Sequence, residues 1–335
     1  MTYRDLGRTG VEVSSFCLGC APFGQAIADT VAYDLVDRTL DLGISFLDTA
    51  NTYGRSEEVI GEALARNGRR DEVILATKVG SYNRHTPRNG KGASRRHIIE
   101  QCERSLRRLR TDRIDLYQIH LPFPHIPLDE TLRALDDLIH AGKVRYIGGS
   151  NYAAWQYVEA LWIASELGLN RFISEQMPYH LLDRTAEAEL VPMAQTYGMA
   201  LNVYSPLAEG LLSGKYRRGA APPTDSRFAG RDEAIASRLT DEVVAVLGML
   251  ETLAGEKACT MTQLALAWCA GQPGVTATII GPRTPEQLAD NAAAAEIELT
   301  EDDRARLDAL APPRRALVPY RDHYARLWGP HPPRG

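Results

Sequence analysis

Eight short apolar runs, FCLG, SFLDT, VILATK, DLYQIH, VRYIGGS, RFISEQ, ALNVYS and VTATIIG, recur along this chain, and most stay apolar until a polar last residue. Such continuity marks parallel strands buried on both faces, whereas a half-exposed antiparallel sheet would alternate. The segments between the runs are amphipathic. Ile99, Cys102, Leu106 and Leu109 fall at helical spacing after Ser94, a candidate cap, and Leu128, Leu132, Leu135 and Leu138 repeat the pattern in the next unit. Strand and helix thus alternate without a compositional break, which allows an open doubly wound sheet or a closed barrel. Eight units favour a closed (β/α)8 TIM barrel. The G-x-G-x-x-G turn of a dinucleotide-binding open sheet is also missing, since the first run is followed by CAPFGQA.

Ahead of the first run, YRDLG, RTG and VEVSS predict an N-terminal β-hairpin that plugs the bottom of the barrel. A length of 335 residues suits one barrel domain over 1–335, with a C-terminal tail at 312–335. Residues 206–238 and the tail from Ala311 lack clear periodicity and are expected as long loops at the C-terminal face.

Composition is that of an ordinary globular chain, with 44% hydrophobic and 24% charged residues. The formal net charge of −5 argues against a nucleic-acid partner, which would select a basic face. The N-terminus MTYRDLGRTGVEVSS has no charged region followed by an apolar one, and no apolar stretch approaches membrane-spanning length, so a cytoplasmic protein without a membrane partner is expected. Five scattered cysteines fit a reducing compartment. Cys17 and Cys20 form C-x-x-C, but within a strand and without a second pair, which predicts buried structural thiols.

The polar residues that end the runs belong together: Asp48, Lys78, His120, Ser150 with Asn151, Gln176, and Tyr204. In a parallel barrel all of them reach the carboxyl-terminal rim, where barrel enzymes place their chemistry. Each alone has an ordinary reading, as a helix cap, a rim lysine, a core imidazole or a turn amide. Tyr53, five residues after Asp48, changes the balance, because an ammonium paired with a carboxylate favours the phenolate of a neighbouring phenol, and an imidazole orients a carbonyl. A metal-dependent hydrolase built on Asp48, His120 and Glu175 is a rival class; it lacks the paired histidines such sites recruit, and no metal is expected.

The motifs FLDTANTYGRSEEVIGEAL, ILATKVG, RIDLYQIHLP, GKVRYIGGSNY, SEQMPYH, YSPLAEGLLSGKY and IIGPRTPEQLADN, in this order over residues 3 to 293, resemble those of the aldo-keto reductases. The branch is similar to the potassium-channel β-subunit-like and bacterial deoxysugar-pathway reductases. The resemblance implies a catalytic tetrad of Asp48, Tyr53, Lys78 and His120 that reduces an aldehyde or ketone, with hydride from a nicotinamide and a proton from Tyr53. It implies that Ser150, Asn151 and Gln176 bond the nicotinamide carboxamide and that Tyr204 stacks on its ring. It implies further that Ser205, Pro206, Leu207, Gly210, Leu212, Gly214 and Lys215 wrap the pyrophosphate. Arg283, with Gly281, Gln287 and Asn291, lies where a 2′-phosphate is met at a helix opened by Thr284 and Pro285, so NADPH is favoured over NADH. Gln287 is expected to complete a capping box with Thr284.

One departure follows the histidine, where LPFPHIP lacks the acidic residue many relatives in that branch carry. For the substrate, Phe23, Phe123, Arg84 and Arg88 are candidates, the arginines in a loop that also carries Lys91, Arg95 and Arg96 and suits an anionic sugar or sugar-nucleotide carbonyl. Tyr320, Tyr324 and Trp328 either close over the substrate or pack the tail peripherally. The small-molecule carbonyl itself and the oligomeric state are not readable. A nicotinamide-binding redox sensor with slow turnover is the alternative function.

Overall fold

The computed structural model describes residues 1–80, 89–90, 92–320, 324 and 326–329. A two-stranded antiparallel hairpin, β1 (Tyr3–Asp5) and β2 (Glu12–Ser14), precedes eight parallel strands. These are β3 (Phe16–Gly19), β4 (Phe46–Asp48), β5 (Ile74–Val79), β6 (Ile114–Ile119), β7 (Val144–Ser150), β8 (Phe172–Pro178), β9 (Ala200–Tyr204) and β10 (Val275–Ile280). They follow one another around a closed barrel, with β10 pairing back onto β3, so the protein is a (β/α)8 TIM barrel with an N-terminal hairpin. Each of the eight apolar runs supplies one stave.

Helices lie outside the barrel between staves. The helix Arg95–Leu109 opens at Ser94, whose side chain accepts from the His97 backbone, and buries Ile98, Cys102, Leu106 and Leu109. In Leu128–His140 the buried face carries Leu132, Ala134, Leu135 and Leu138. Among the described residues, no helix is long and apolar enough to cross a membrane.

The interior of the barrel changes along its axis. At the amino-terminal end Leu6 and Val13 of the hairpin pack with Cys17, Phe46, Ala76, Leu116, Ala200 and Ala277 as one apolar cluster that closes the bottom. Gly7 lets the hairpin approach: its φ is +62°, and a Cβ there would stand 2.6 Å from the Ile173 carbonyl oxygen. Cys17 and Cys20 are buried and free. Toward the carboxyl ends the inner wall turns polar, through Asp48, Lys78, Gln118, Gln176 and Asn202, all buried.

Candidate active site

Strand pairing sets the ring. Asp48 of β4 lies level with Gly19 and Ala76, Lys78 of β5 with Gln118 of β6, and Ser150 of β7 with Gln176 of β8. Lys78 Nζ donates to Asp48 Oδ2 at 2.6 Å and to the Thr49 carbonyl at 2.8 Å, with no part of the lysine side chain exposed. Beyond β4 the chain is strapped to its neighbour, Thr49 N donating to Ala76 O and Asn51 N to Lys78 O, and a turn from Ala50 O to Tyr53 N then brings the phenol back over the lysine. Lys78 Nζ sits 5.0 Å from the Tyr53 ring centroid. His120, held by its backbone N–H on Val79 O, meets Tyr53 edge-on at 5.5 Å between centroids, and its Nε2 is 3.4 Å from the Tyr53 hydroxyl.

The electrostatics follow from burial and charge. Burial pushes the Tyr53 phenol above its ordinary pKa; Lys78 pulls it down and Asp48 pushes it up, and the net direction is upward. Burial also works against the Lys78 ammonium, but Asp48 and then Tyr53 outweigh it and raise its pKa. His120 is lowered to about 3, by burial first and Lys78 second, so its ring is neutral at physiological pH. Together they make a protonated phenol, a charged ammonium and a neutral imidazole around one hydroxyl, an arrangement suited to giving a proton to an oxygen.

A second cluster adjoins the first. Asn151, in the left-handed region at φ 64°, donates its amide to His120 O at 3.1 Å and to Ser150 Oγ at 2.9 Å, while Ser150 Oγ donates to Gln176 O at 2.8 Å. The Tyr204 hydroxyl donates to Asn151 Oδ1 at 2.8 Å and shares a 3.0 Å hydrogen bond with the Tyr324 hydroxyl. The tail is anchored here: Trp328 Nε1 donates to Asn151 O at 2.9 Å and Gln156 Nε2 to Leu327 O at 3.0 Å. Farther back the tail runs along the turn after β8, where Arg184 N donates to Arg315 O and Tyr320 N to an Asp183 carboxylate oxygen. Tyr324 and Trp328 thus both touch rim residues, Tyr204 and Asn151.

After β9, Ser205 adopts φ 56° and Leu207 O accepts from Gly210 N and Leu212 N, with Gly210 and Gly214 also left-handed. Pro206 and Leu212 are buried beneath this turn, and Lys215 reaches over the Tyr216 ring. After β10 the helix Pro285–Ala293 is capped by Thr284. Gln287 does not close a box with Thr284: its Oε1 accepts from Arg283 N at 2.8 Å, one residue farther out, because the extended cap turns that N–H toward the helix. Gly281, Arg283 and Gln287 are exposed and Asn291 is buried. Arg283 donates to Asp225 O at 3.3 Å and, like Lys215, has no carboxylate partner among the described residues.

Some expectations fall elsewhere. Phe23 is fully buried in the main core. Phe123 packs partly buried, its ring 2.9 Å from where a Cβ on Gly80 would stand. Arg84, Arg88 and Lys91 lie outside the described residues, and Arg95 pairs with Asp137. Glu175 faces outward, where it is buried and accepts from the Tyr157 hydroxyl, so Asp48, His120 and Glu175 do not converge. Among the described residues no group of three histidine, cysteine or acidic side chains is placed to hold a metal ion.

Two side chains were not singled out from sequence. Gln118 projects into the barrel beneath His120, on the same strand face, and that parity was the available signal. Glu209, in the loop after β9 at φ 58°, receives Arg227 at 3.0 Å and Arg238 at 3.4 Å.

The model of the aldo/keto reductase family matches residues 15–312. The chain is 39% identical over 322 residues to an uncharacterized oxidoreductase, YrpG, of Bacillus subtilis (strain 168), covering 93% of this chain and 96% of that protein. It is 38% identical to a probable voltage-gated potassium channel subunit beta of Oryza sativa subsp. japonica and 37% to that of Arabidopsis thaliana, each over 304 residues, 89% of this chain and 92% of the relative. With the barrel and its polar rim, these matches show that the chain belongs to the aldo/keto reductase family of oxidoreductases.

Proposed function

We propose that this chain reduces an aldehyde or ketone to the alcohol, with NADPH as the reductant and Tyr53 as the acid. The observation that carries the reading is the Tyr53 hydroxyl, 3.4 Å from a neutral imidazole and backed by the buried Lys78–Asp48 pair. Tyr53 holds its proton until the substrate oxygen gains negative charge, and Lys78 then stabilises the phenolate left behind. His120 orients the carbonyl oxygen toward Tyr53. The reductant, when bound, supplies the hydride to the carbonyl carbon.

The residues present suit such a cofactor. Gln176 Oε1 has no hydrogen-bond partner among the described residues and is available to a carboxamide N–H, beside Ser150 and Asn151. Tyr204 offers a ring, the turn Ser205 to Lys215 offers backbone N–H groups and a cation to a pyrophosphate, and Arg283, without a carboxylate partner among the described residues and flanked by Gly281, Gln287 and Asn291, suits a 2′-phosphate. This favours NADPH over NADH. Tyr324 and Trp328 roof the substrate side, and an anionic sugar carbonyl would draw on Arg84 and Arg88; reversing both to Glu raises KM for such a substrate and leaves a neutral aldehyde untouched.

The test is NADPH oxidation with a panel of aldehydes, ketones and keto-sugars, comparing Tyr53→Phe, for which turnover falls by about 10²–10⁴-fold. The channel-subunit relatives motivate a second reading, a nicotinamide-binding redox sensor with slow turnover. Tight cofactor binding without turnover across the whole panel would favour it.

A further inference from the structure

Asp48 divides its carboxylate between unlike partners. Oδ2 takes the Lys78 ammonium at 2.6 Å, whereas Oδ1 accepts from Gln176 Nε2 at 2.7 Å and meets Gln118 Nε2 at 3.5 Å. The two glutamines come from different staves, Gln118 from β6 and Gln176 from β8, which stands opposite β4 in the ring. Their reach to a common oxygen is built into the wall. Gly148 of β7 lies between them, and a Cβ there would stand 2.3 Å from Ser174 Oγ and 3.5 Å from Gln118 Cγ. All of these side chains are buried, so the two amides are not solvating a surface carboxylate.

We propose that Gln118 and Gln176 are positioning residues that fix the orientation of the Asp48 carboxylate and, through Lys78, the proton-donating strength of Tyr53. The amide donors stabilise the negative charge on Oδ1 and leave Oδ2 to the lysine. Without them the carboxylate is free to turn, and its field at Tyr53 grows. The charged and titratable groups that face Tyr53 are Lys78, Asp48, His120, Tyr324 and Tyr204; among them Asp48 is the anion whose orientation the amides control. Gln176 carries a second consequence that rests on the reductase reading. Its Nε2 holds Asp48 while its Oε1 is available to the nicotinamide carboxamide, so one planar amide links cofactor occupancy to the acid.

The test uses Gln118→Met and Gln176→Met, which keep volume and remove the donors. Tyrosine labelled at ¹³Cζ is titrated from neutral to alkaline pH in the cofactor-free protein, the Tyr53 resonance being assigned by its loss in Tyr53→Phe; the alkaline limb of kcat for carbonyl reduction is measured alongside. The Tyr53 midpoint rises by up to about one pH unit in Gln176→Met, because the altered Asp48 field at the phenol, rather than the whole of the lost hydrogen bond, is what Tyr53 feels, and by less in Gln118→Met. An unchanged midpoint in both variants overturns the proposal, even if kcat falls, because a cofactor contact or a packing role would do only that. Gln118→Met touches no residue assigned to the cofactor and decides the matter alone should Gln176→Met fail to fold. Full carbonyl reduction by Tyr53→Phe, with the midpoint shifts present, would instead remove the reductase reading and leave the positioning claim standing.

Discussion

The two ends of the barrel are made from the same staves and do opposite things. At the amino-terminal end inward positions carry Cys17, Phe46, Ala76, Leu116 and Ala277, sealed by Leu6 and Val13. A few residues later the same inward faces carry Asp48, Lys78 and Gln118, with His120 just beyond the end of β6. The apolar end supplies stability without chemistry. The polar end buries charges that an apolar core of equal size would not need, and it tolerates them because each is paired or bonded.

That contrast is most strongly broken by Lys78→Met. It strands the buried Asp48 carboxylate without its cation, so unfolding in urea shows a loss of about 3–5 kcal/mol and carbonyl reduction falls to background together with it. At the other end Leu6→Ala costs about 2–5 kcal/mol through cavity formation, yet kcat and KM measured on the folded protein stay at their wild-type values. Equal stability losses with unequal kinetic consequences are the signature of the division; a matching kinetic defect in Leu6→Ala would contradict it.

Acid sharpens the comparison, because among the described residues the two histidines most depressed by burial, His120 and His180, both lie just past the carboxyl ends of strands. His120 is lowered to about 3 and His180, packed edge-on beneath Tyr320, to about 4, in both cases chiefly by burial. Between these values and the unfolded pKa near 6.5 the unfolded chain binds more protons than the folded one, so stability rises with pH across that window and is lost as pH falls. Each histidine contributes about 1.4 kcal/mol per pH unit between about pH 6.5 and 4. Urea midpoints measured at several pH values check the slope, and His120→Asn removes its share. The smallest effect concerns the rim's outer edge. Arg283→Ala reduces the preference for NADPH over NADH by about tenfold, read as the ratio of cofactor Kd values, and leaves NADH binding unchanged.

Much of this was legible in the chain because period and position carry the information. The eight staves and the rim residues Asp48, Lys78, His120 and Gln176 could be read from where apolar runs turn polar. What escaped depends on which face a residue takes. Glu175 and Gln176 are neighbours, yet one points out to Tyr157 and the other across the barrel to Asp48. The register there shifts: two steps in β7, from Ile147 to Gly149, span three in β8, from Phe172 to Glu175. An extra residue of this kind resets side-chain parity and leaves no mark in composition. Gln118 was readable by parity from His120 and was hidden by the apolar run around it. The tail's grip on Asn151 is a tertiary outcome that no local rule supplies, whereas the Gln287 contact with Arg283 N is local and misses a capping box by one residue.

The central claim is that the polar end of the barrel holds an acid positioned to protonate a carbonyl as a bound nicotinamide reduces it. Incubation with NADPH deuterated at C4 and a simple aromatic aldehyde tests it directly. The account predicts an alcohol carrying deuterium on the carbinol carbon, formed at a rate that collapses in Tyr53→Phe; cofactor bound tightly with no labelled alcohol, or label transferred equally well by Tyr53→Phe, would contradict it.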